Sequence, residues 1–392
     1  MNDYSAKLGD VFPLIRNGAS IKQVDGAAGC PITRIETIAN REIDRNKFGY
    51  ANIEDTSKYQ DYLLQDGDIL MSHINSEKHL GKVALYQAVP GEKIIHGMNL
   101  LMLRADKSVI GGSYALYYFN SDAFLRQIPR ITKKSVNQAS FTVTALKELT
   151  IPVPELSAQE EMSENLDKVS NLISLRKQQL TKLDELVKAR FVELFGDVAS
   201  NPNGYPIKDF DEISILITDG EHATPRRTME GIYLLSARNV LNHALQLEDV
   251  DYIDEEEYGR IARRIVPQAG DVLISCSGSI GRCCVVPQGL KFQMVRSAAL
   301  IRFNKTINPV FAEWLITSDD LQIQIAQSAT QSSQANLFQG KIKKLHGFVP
   351  PIELQNQFAA FVEQTDKSKL AIQQSLDKLE TLKKTLMQKY FG

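Results

Sequence analysis

Six histidines, four cysteines and one asparagine-proline loop are the places where this 392-residue chain holds side chains suited to metal, covalent or base-flipping chemistry. None has the spacing that such chemistry needs. The histidines (His73, His79, His96, His222, His243, His346) do not fall into ligand pairs, so no metal is expected. Cys30, Cys276, Cys283 and Cys284 form neither a C-x-x-C pair nor an even framework in each half, which leaves reduced, buried thiols as the expectation. Asn201-Pro202-Asn203-Gly204-Tyr205 lacks the second proline of the N/D-P-P-Y/F loop with which an adenine methyltransferase holds a flipped base. There is no G-x-x-x-x-G-K-S/T cradle, and Gly278-Ser279-Ile280-Gly281 reads as a turn between strands. No catalytic residue and no cofactor is therefore assigned.

What remains is charge and hydrogen bonding. Basic residues cluster at Arg126, Arg130, Lys133 and Lys134, and again at Arg226, Arg227, Arg260, Arg263, Arg264, Lys341, Lys343 and Lys344. The formal net charge is only -2, and acidic runs such as Asp254-Glu255-Glu256-Glu257 are expected on the side opposite the basic clusters. Indiscriminate nucleic-acid coating draws its affinity from phosphate neutralisation, so this balance excludes it while leaving a sequence reader open. A composition 43% apolar and 23% charged is ordinary for a soluble protein. The start of the chain has no secretory pattern, and the apolar run near Met98–Leu103 is cut by Arg104, Asp106 and Lys107, so no membrane is expected and the cytoplasm is.

The elements that must position these groups come in duplicate. Val153-Pro154-Glu155-Leu156-Ser157-Ala158-Gln159 returns as Val349-Pro350-Pro351-Ile352-Glu353-Leu354-Gln355, and Leu194-Phe195-Gly196 as Tyr390-Phe391-Gly392, at an offset of 196. Gln65-Asp66-Gly67-Asp68-Ile69-Leu70 matches Gln268-Ala269-Gly270-Asp271-Val272-Leu273 at an offset of 203. The chain is two copies of one unit, each a globular part followed by a helix. From Met162, the positions Leu166, Val169, Ile173, Arg176, Leu180, Leu183, Val187, Arg190 and Leu194 follow 4-3 spacing, a heptad seam. The second seam runs through Phe358, Val362, Thr365, Lys369, Ile372, Leu376, Leu379, Lys383, Leu386 and Tyr390, widened by Phe361, Leu370, Leu382 and Met387. A capping box of Ser157 with Glu160 is expected at the first helix start. Ser157–Phe195 would span roughly 58 Å.

The two seams are expected to pair as an antiparallel coiled coil that places the globular parts at opposite ends. Within those parts, strands are expected at 31–36, 68–72, 82–87, 232–236, 271–276 and 282–287, and helices near 113–127 and 309–327. Trp314 is expected in the core.

In its order of parts the chain resembles the specificity (HsdS) subunits of type I restriction-modification systems. The carriers of that resemblance are Asp219-Gly220-Glu221-His222-Ala223-Thr224-Pro225 followed by Leu234-Leu235-Ser236-Ala237-Arg238-Asn239-Val240, the two Gly-Asp strands, Ser277-Gly278-Ser279-Ile280-Gly281-Arg282, both proline entries with Gln159 and Gln355, and the Leu194-Phe195-Gly196-Asp197 to Asn201-Pro202-Asn203-Gly204-Tyr205-Pro206 junction. The first half departs from it: no D-G-x-H-x-T-P equivalent is visible, and His73-Ile74-Asn75-Ser76-Glu77-Lys78 replaces the glycine-serine turn.

The resemblance implies an α+β fold. Two mixed α/β target-recognition domains (1–152 and 197–348) are separated by a long antiparallel two-helix coiled coil (153–196 and 349–392), with pseudo-twofold internal repeat. It also implies a bipartite, asymmetric double-stranded DNA site, two methyltransferase subunits on the helices and, through them, restriction subunits. The specificity subunit of a type II-like methyltransferase/nuclease system is the alternative. Expected DNA contacts, made to base edges, are Arg130, Lys133 and Lys134 in the first domain and His222, Arg226, Arg227, Arg238 and Asn239 in the second. Expected spacer and partner-binding residues are Leu166, Val169, Ile173, Leu180, Leu183, Val187, Leu194, Ile372, Leu376, Leu379 and Leu386.

Overall fold

The computed structural model describes residues 4–38, 41–136, 138–328 and 336–392. The chain divides into two compact units, Met1–Lys177 with Gln374–Gly392, and Gln178–Gln373. Each unit is built around the same four-stranded antiparallel sheet. In the first the order is Leu14–Asn17, Leu100–Arg104, Ile69–Ser72, Val83–Leu85, and in the second Ser214–Asp219, Ala298–Phe303, Val272–Ser275, Cys283–Val285. The registers coincide, Ile69 facing Leu103 and Leu85 as Val272 faces Ile301 and Val285. Both central strands are continuous apolar runs buried on both faces, because a helix covers one side and a layer of loops the other.

The repeated Gly-Asp motif acquires a structural reason here. Asp68, 1% exposed, receives two N–H groups of Arg104 at 2.8 Å and the backbone N–H of Gln65 at 2.7 Å. Asp271, 2% exposed, receives two N–H groups of Arg302 at 2.7 Å and the Gln268 N–H at 2.7 Å. The repeated glutamines have an equal counterpart. Gln159 Oε1 accepts from Gly111 N–H, and its Nε2 donates to the carbonyls of Val109 and Pro154. Gln355 Oε1 accepts from Asn308 N–H, and its Nε2 donates to Thr306 and Pro350. Each amide ties the first turn of a long helix to the loop before the sheet-covering helix. Gln159→Ala or Gln355→Ala leaves three buried or part-buried backbone groups without their side-chain partner. A loss of about 3 kcal/mol in its own unit is the expected result of urea unfolding; a loss below about 1 kcal/mol would show the hook to be dispensable.

The two long helices, Leu156–Phe195 and Ile352–Phe391, have 40 residues each. In the first unit Asn165 donates to the Tyr390 hydroxyl and Lys177 pairs with Glu380 at 2.9 Å. In the second, Lys369 pairs with Asp184 at 2.6 Å and the Arg190 guanidinium lies over the Phe361 ring. As numbers rise on one helix they fall on the other, so the pairing inside each unit is antiparallel. Seam residues are enclosed: Leu166, Val169, Val187 and Leu376 are buried, and Ile173, Leu180, Leu183, Leu194, Ile372, Leu379 and Leu386 half-buried.

Four sequence expectations are corrected. Leu370 and Leu382 do not widen the second seam; both are exposed. The first helix begins at Leu156, so Ser157 lies inside its first turn and the Glu155 carbonyl accepts the Gln159 N–H in place of a serine capping box. Residues 31–36 form no strand: Ile32 makes single bridges to Gly49 and Ile95, and Ile35–Ile38 is a 3-10 turn. Each sheet-covering helix is two short ones, Gly112–Phe119 then Asp122–Leu125, and Pro309–Ile316 then Asp319–Ser328, because Ser121 caps a new start in the first copy and the chain breaks at Thr317-Ser318 in the second. The other strands lie where expected. Trp314 is in the core, with the His243 ring stacked on it at 4.1 Å.

Candidate nucleic-acid interface

The loop layer over the second sheet carries the basic side chains, and it holds them with carboxylates. A small sheet of Ile232–Leu235 between Asp251–Ile253 and Phe292–Met294 forms its base. Gly220 follows the Ser214–Asp219 strand where a Cβ would lie 2.4 Å from the Met294 carbonyl oxygen, so only glycine lets the chain pass. Behind it, Asp219 accepts from His222 at 2.8 Å and from Arg264 at 2.7 Å. Arg226 pairs with Asp254 at 2.8 Å and Glu256 at 2.7 Å. These acids raise the Arg226 pKa, while the Glu257 backbone N–H, with Arg226, holds Asp254 below its usual range. Arg227 donates to Asp251 at 3.0 Å, and Arg238 lies 3.2 Å from the same carboxylate and 3.7 Å from Asp249.

Arg226, Arg227 and Arg238 are roughly half-exposed, and each is held by at least one carboxylate. Such a surface is nearly neutral overall yet dense in oriented donors and acceptors. That chemistry suits recognition of a patterned polar edge better than capture of any polyanion.

Asn239 does not belong to it. This side chain is fully buried, its Oδ1 accepting from Ser236 N–H and hydroxyl and its Nδ2 donating to the carbonyls of Gln246 and Asp249. It shapes the loop and has nothing left to offer a ligand. In the first unit, Arg130 is exposed at the end of the short helix Ile128–Ile131, and Lys133–Lys134 form an exposed strand on Ala139–Ser140, with Lys134 paired to Glu77 at 2.8 Å.

Sequence reading missed where the first unit's counterpart to the second loop layer lies. Asn17-Gly18-Ala19 stands in the place of Asp219-Gly220-Glu221. Gly18 is as constrained as Gly220, a Cβ there lying 2.1 Å from the Gly97 oxygen, and Ala19 bridges Gly97 in parallel as Glu221 bridges Val295. Thr37 occupies the role of Asn239, its hydroxyl accepting from Arg34 N–H and donating to the Lys47 carbonyl. Arg41 and His243 both sit at positive φ (65° and 62°) and both reach the residue ending the sheet-covering helix, Asn120 and Thr317. The first unit's equivalent layer is therefore residues 19–62. The signal was present in sequence as Thr37-Ile38-Ala39-Asn40-Arg41 against Asn239-Val240-Leu241-Asn242-His243, but it shares too few identities to be seen without the backbone pairing.

Among the described residues no group of three or more His, Cys, Asp or Glu is placed to hold a metal ion, and no helix is long and apolar enough to cross a membrane. Burial pushes the Cys276 thiol up to about 12 and raises the Cys283 and Cys30 thiols as well. These thiols are packing groups.

A family model described as the type I restriction modification DNA specificity domain matches residues 4–185. The chain is 43% identical over 192 residues to the putative type I restriction enzyme MjaX specificity subunit of Methanocaldococcus jannaschii, covering 48% of this chain and 44% of that protein. It is 22% identical over 310 residues to the type I restriction enzyme EcoBI specificity subunit of Escherichia coli, covering 70% and 65% respectively. The matched stretches thus span less than two thirds of these relatives' lengths. Among solved structures, the S subunit of a type I restriction-modification system from M. genitalium superposes with a TM-score of 0.62 at 13% identity, covering 99% of this chain and 96% of that one. A chain from another type I restriction-modification structure gives 0.58 at 15% identity, covering 99% and 97%. At these identities the likeness is one of fold.

Proposed function

We propose that this chain is a specificity (HsdS) subunit of a type I restriction-modification system, the non-catalytic DNA reader of such a complex. Each unit reads one part of a bipartite, asymmetric double-stranded site. The helices fix the gap and carry two methyltransferase subunits, through which restriction subunits join.

The observation that carries this reading is the duplication itself: one sheet, one buried ion pair and one glutamine hook are built twice, while the loop layers differ in length and charge. A repeated scaffold with unlike loops is what two unlike half-sites require. In the second unit the proposed contacts are His222, Arg226, Arg227 and Arg238. In the first, exposed Arg130, Lys133 and Lys134 are assigned to the phosphate backbone. Helices of 40 residues, about 60 Å long, are ample for recognition elements one DNA turn (about 34–36 Å) apart. Leu172, Leu175 and Leu186 on the first helix, and Leu370 and Leu382 on the second, are exposed. Apolar residues held outside a closed seam suit docking of partner subunits.

Mapping methylated adenines in host DNA with and without this chain tests the reading directly: a two-part methylated sequence should vanish with the chain. Persistence of every methylated sequence would refute it. Inserting one heptad between Leu180 and Val187 should lengthen the gap, or abolish modification, without altering either half-site. Altered bases with an unchanged gap would rule out the spacer role.

A further inference from the structure

The backbone pairing that aligns the two loop layers also aligns individual side chains. Val24 N–H donates to the Tyr50 carbonyl as Thr228 N–H donates to Tyr252, so Gln23 stands at the position of Arg227. Ile32 bridges Gly49 as Leu234 pairs with Asp251, so Gly49 stands at the position of Asp251. Thr37 matches Asn239, which places Glu36 at the position of Arg238.

The same spot is occupied in both units, by opposite chemistry. In the second unit one carboxylate, Asp251, sits between two guanidiniums, at 3.0 Å from Arg227 and 3.2 Å from Arg238. In the first there is no side chain at the centre, and the Gln23 amide has moved into the vacated space. A Cβ on Gly49 would lie 1.7 Å from Gln23 Oε1 and 3.1 Å from Arg34 Cδ. Glu36 lies beside it, 3.8 Å from Arg34 and largely exposed. The absence of a side chain at Gly49 is what admits Gln23, and the presence of Asp251 is what pins the two arginines.

We infer that this spot is the specificity centre of both units: Arg227–Asp251–Arg238 reads guanine in one half-site, and Gln23 over Gly49, with Glu36, reads adenine and cytosine in the other. The inference rests on the DNA-reading role proposed above. A guanidinium matches the two acceptors of guanine, a glutamine amide matches the acceptor and donor of adenine, and a carboxylate accepts from the cytosine amino group. Asp251 is a positioning residue. A flexible arginine loses much rotamer freedom on binding, and a carboxylate that already holds one edge of each guanidinium removes part of that cost beforehand. It also cancels charge that would otherwise attract any duplex.

The test is selection from a pool of randomised-sequence duplexes by the full chain in complex with its methyltransferase subunits, for the wild type, Asp251→Asn, Gln23→Ala and the triple variant Arg130→Ala, Lys133→Ala, Lys134→Ala. Asp251→Asn is expected to lose at least about tenfold preference for guanine in one half-site, leaving the other intact, and to gain binding to unselected duplex. Gln23→Ala is expected to lose a comparable preference for adenine in the other half-site. The triple variant should weaken binding evenly without changing the bases. Arg238→Lys keeps the charge but not the fork, and should repeat the guanine loss if Asp251→Asn fails to fold.

Unchanged half-sites in Asp251→Asn and Arg238→Lys, or in Gln23→Ala, overturn the inference. A base change in the triple variant without one in Gln23→Ala moves the first reader to the lysine strand. If the wild type selects no two-part sequence, the DNA-reading role itself falls, and this inference with it.

Discussion

Asp271→Ala is expected to cost the second unit about 3–5 kcal/mol, and Asp68→Ala to cost the first as much. Each carboxylate is buried to within 2% of complete enclosure and faces an arginine whose side chain is only about a quarter exposed. The second guanidinium nitrogen of each pair also donates to a loop carbonyl, of Leu63 or Val266, so the arginine ties a sheet strand to the chain entering the turn. Removing the aspartate strands that guanidinium and the Gln65 or Gln268 N–H in a poorly solvated place. Asp271→Asn keeps the volume and should fall between the two. Trp314 is the chain's only tryptophan and lies in the second unit. Urea unfolding followed by its fluorescence therefore isolates the Asp271 effect, and far-ultraviolet circular dichroism reports both. A shift under about 1 kcal/mol in either variant would show that the repeated motif is a turn signal and not an anchor.

Acid should weaken the first unit selectively. His73 and His96 are buried and their pKa values lowered to about 4 by desolvation, with His73 Nδ1 and His96 Nε2 lacking a partner. Both are neutral in the folded state and take up a proton on unfolding once the pH is below about 6.5. The unfolded chain then binds more protons, so the contribution is complete above about 6.5 and is lost as the pH falls toward 4. The full shift corresponds to about 3 kcal/mol for each histidine. Register places Cys276 and Met294 at the equivalent positions of the second unit, and neither becomes a cation. Between pH 7 and 5 the urea midpoint seen by circular dichroism should fall while the Trp314 transition stays in place. A Trp314 transition that falls in parallel, or a dichroism midpoint that holds, would refute the assignment.

The parts legible in sequence were those whose physical cause repeats along the chain. Apolar residues at 4-3 spacing gave the long helices and their seam. Strands followed from short apolar runs closed by glycine, because a sheet interior buried on both faces admits little else. The failures share another cause, in that the decisive contact lies far away in sequence. Whether Asn239 reads a base or braces a loop depends on carbonyls it meets only after folding, and Leu370 was drawn into the seam because hydrophobicity says nothing of which way a helix face turns. The first unit's loop layer hid for the same reason: Gln23, Glu36 and Gly49 correspond to Arg227, Arg238 and Asp251 through backbone pairing, with no residue type in common. Selection of different side chains at one place erases the similarity by which that place would be found.

The buried Arg–Asp pair belongs to the sheet in each unit, yet through the Leu63 or Val266 carbonyl its arginine also holds the end of the variable loop layer. The layer can therefore change in length and in side chains while the anchor that holds its end stays with the sheet.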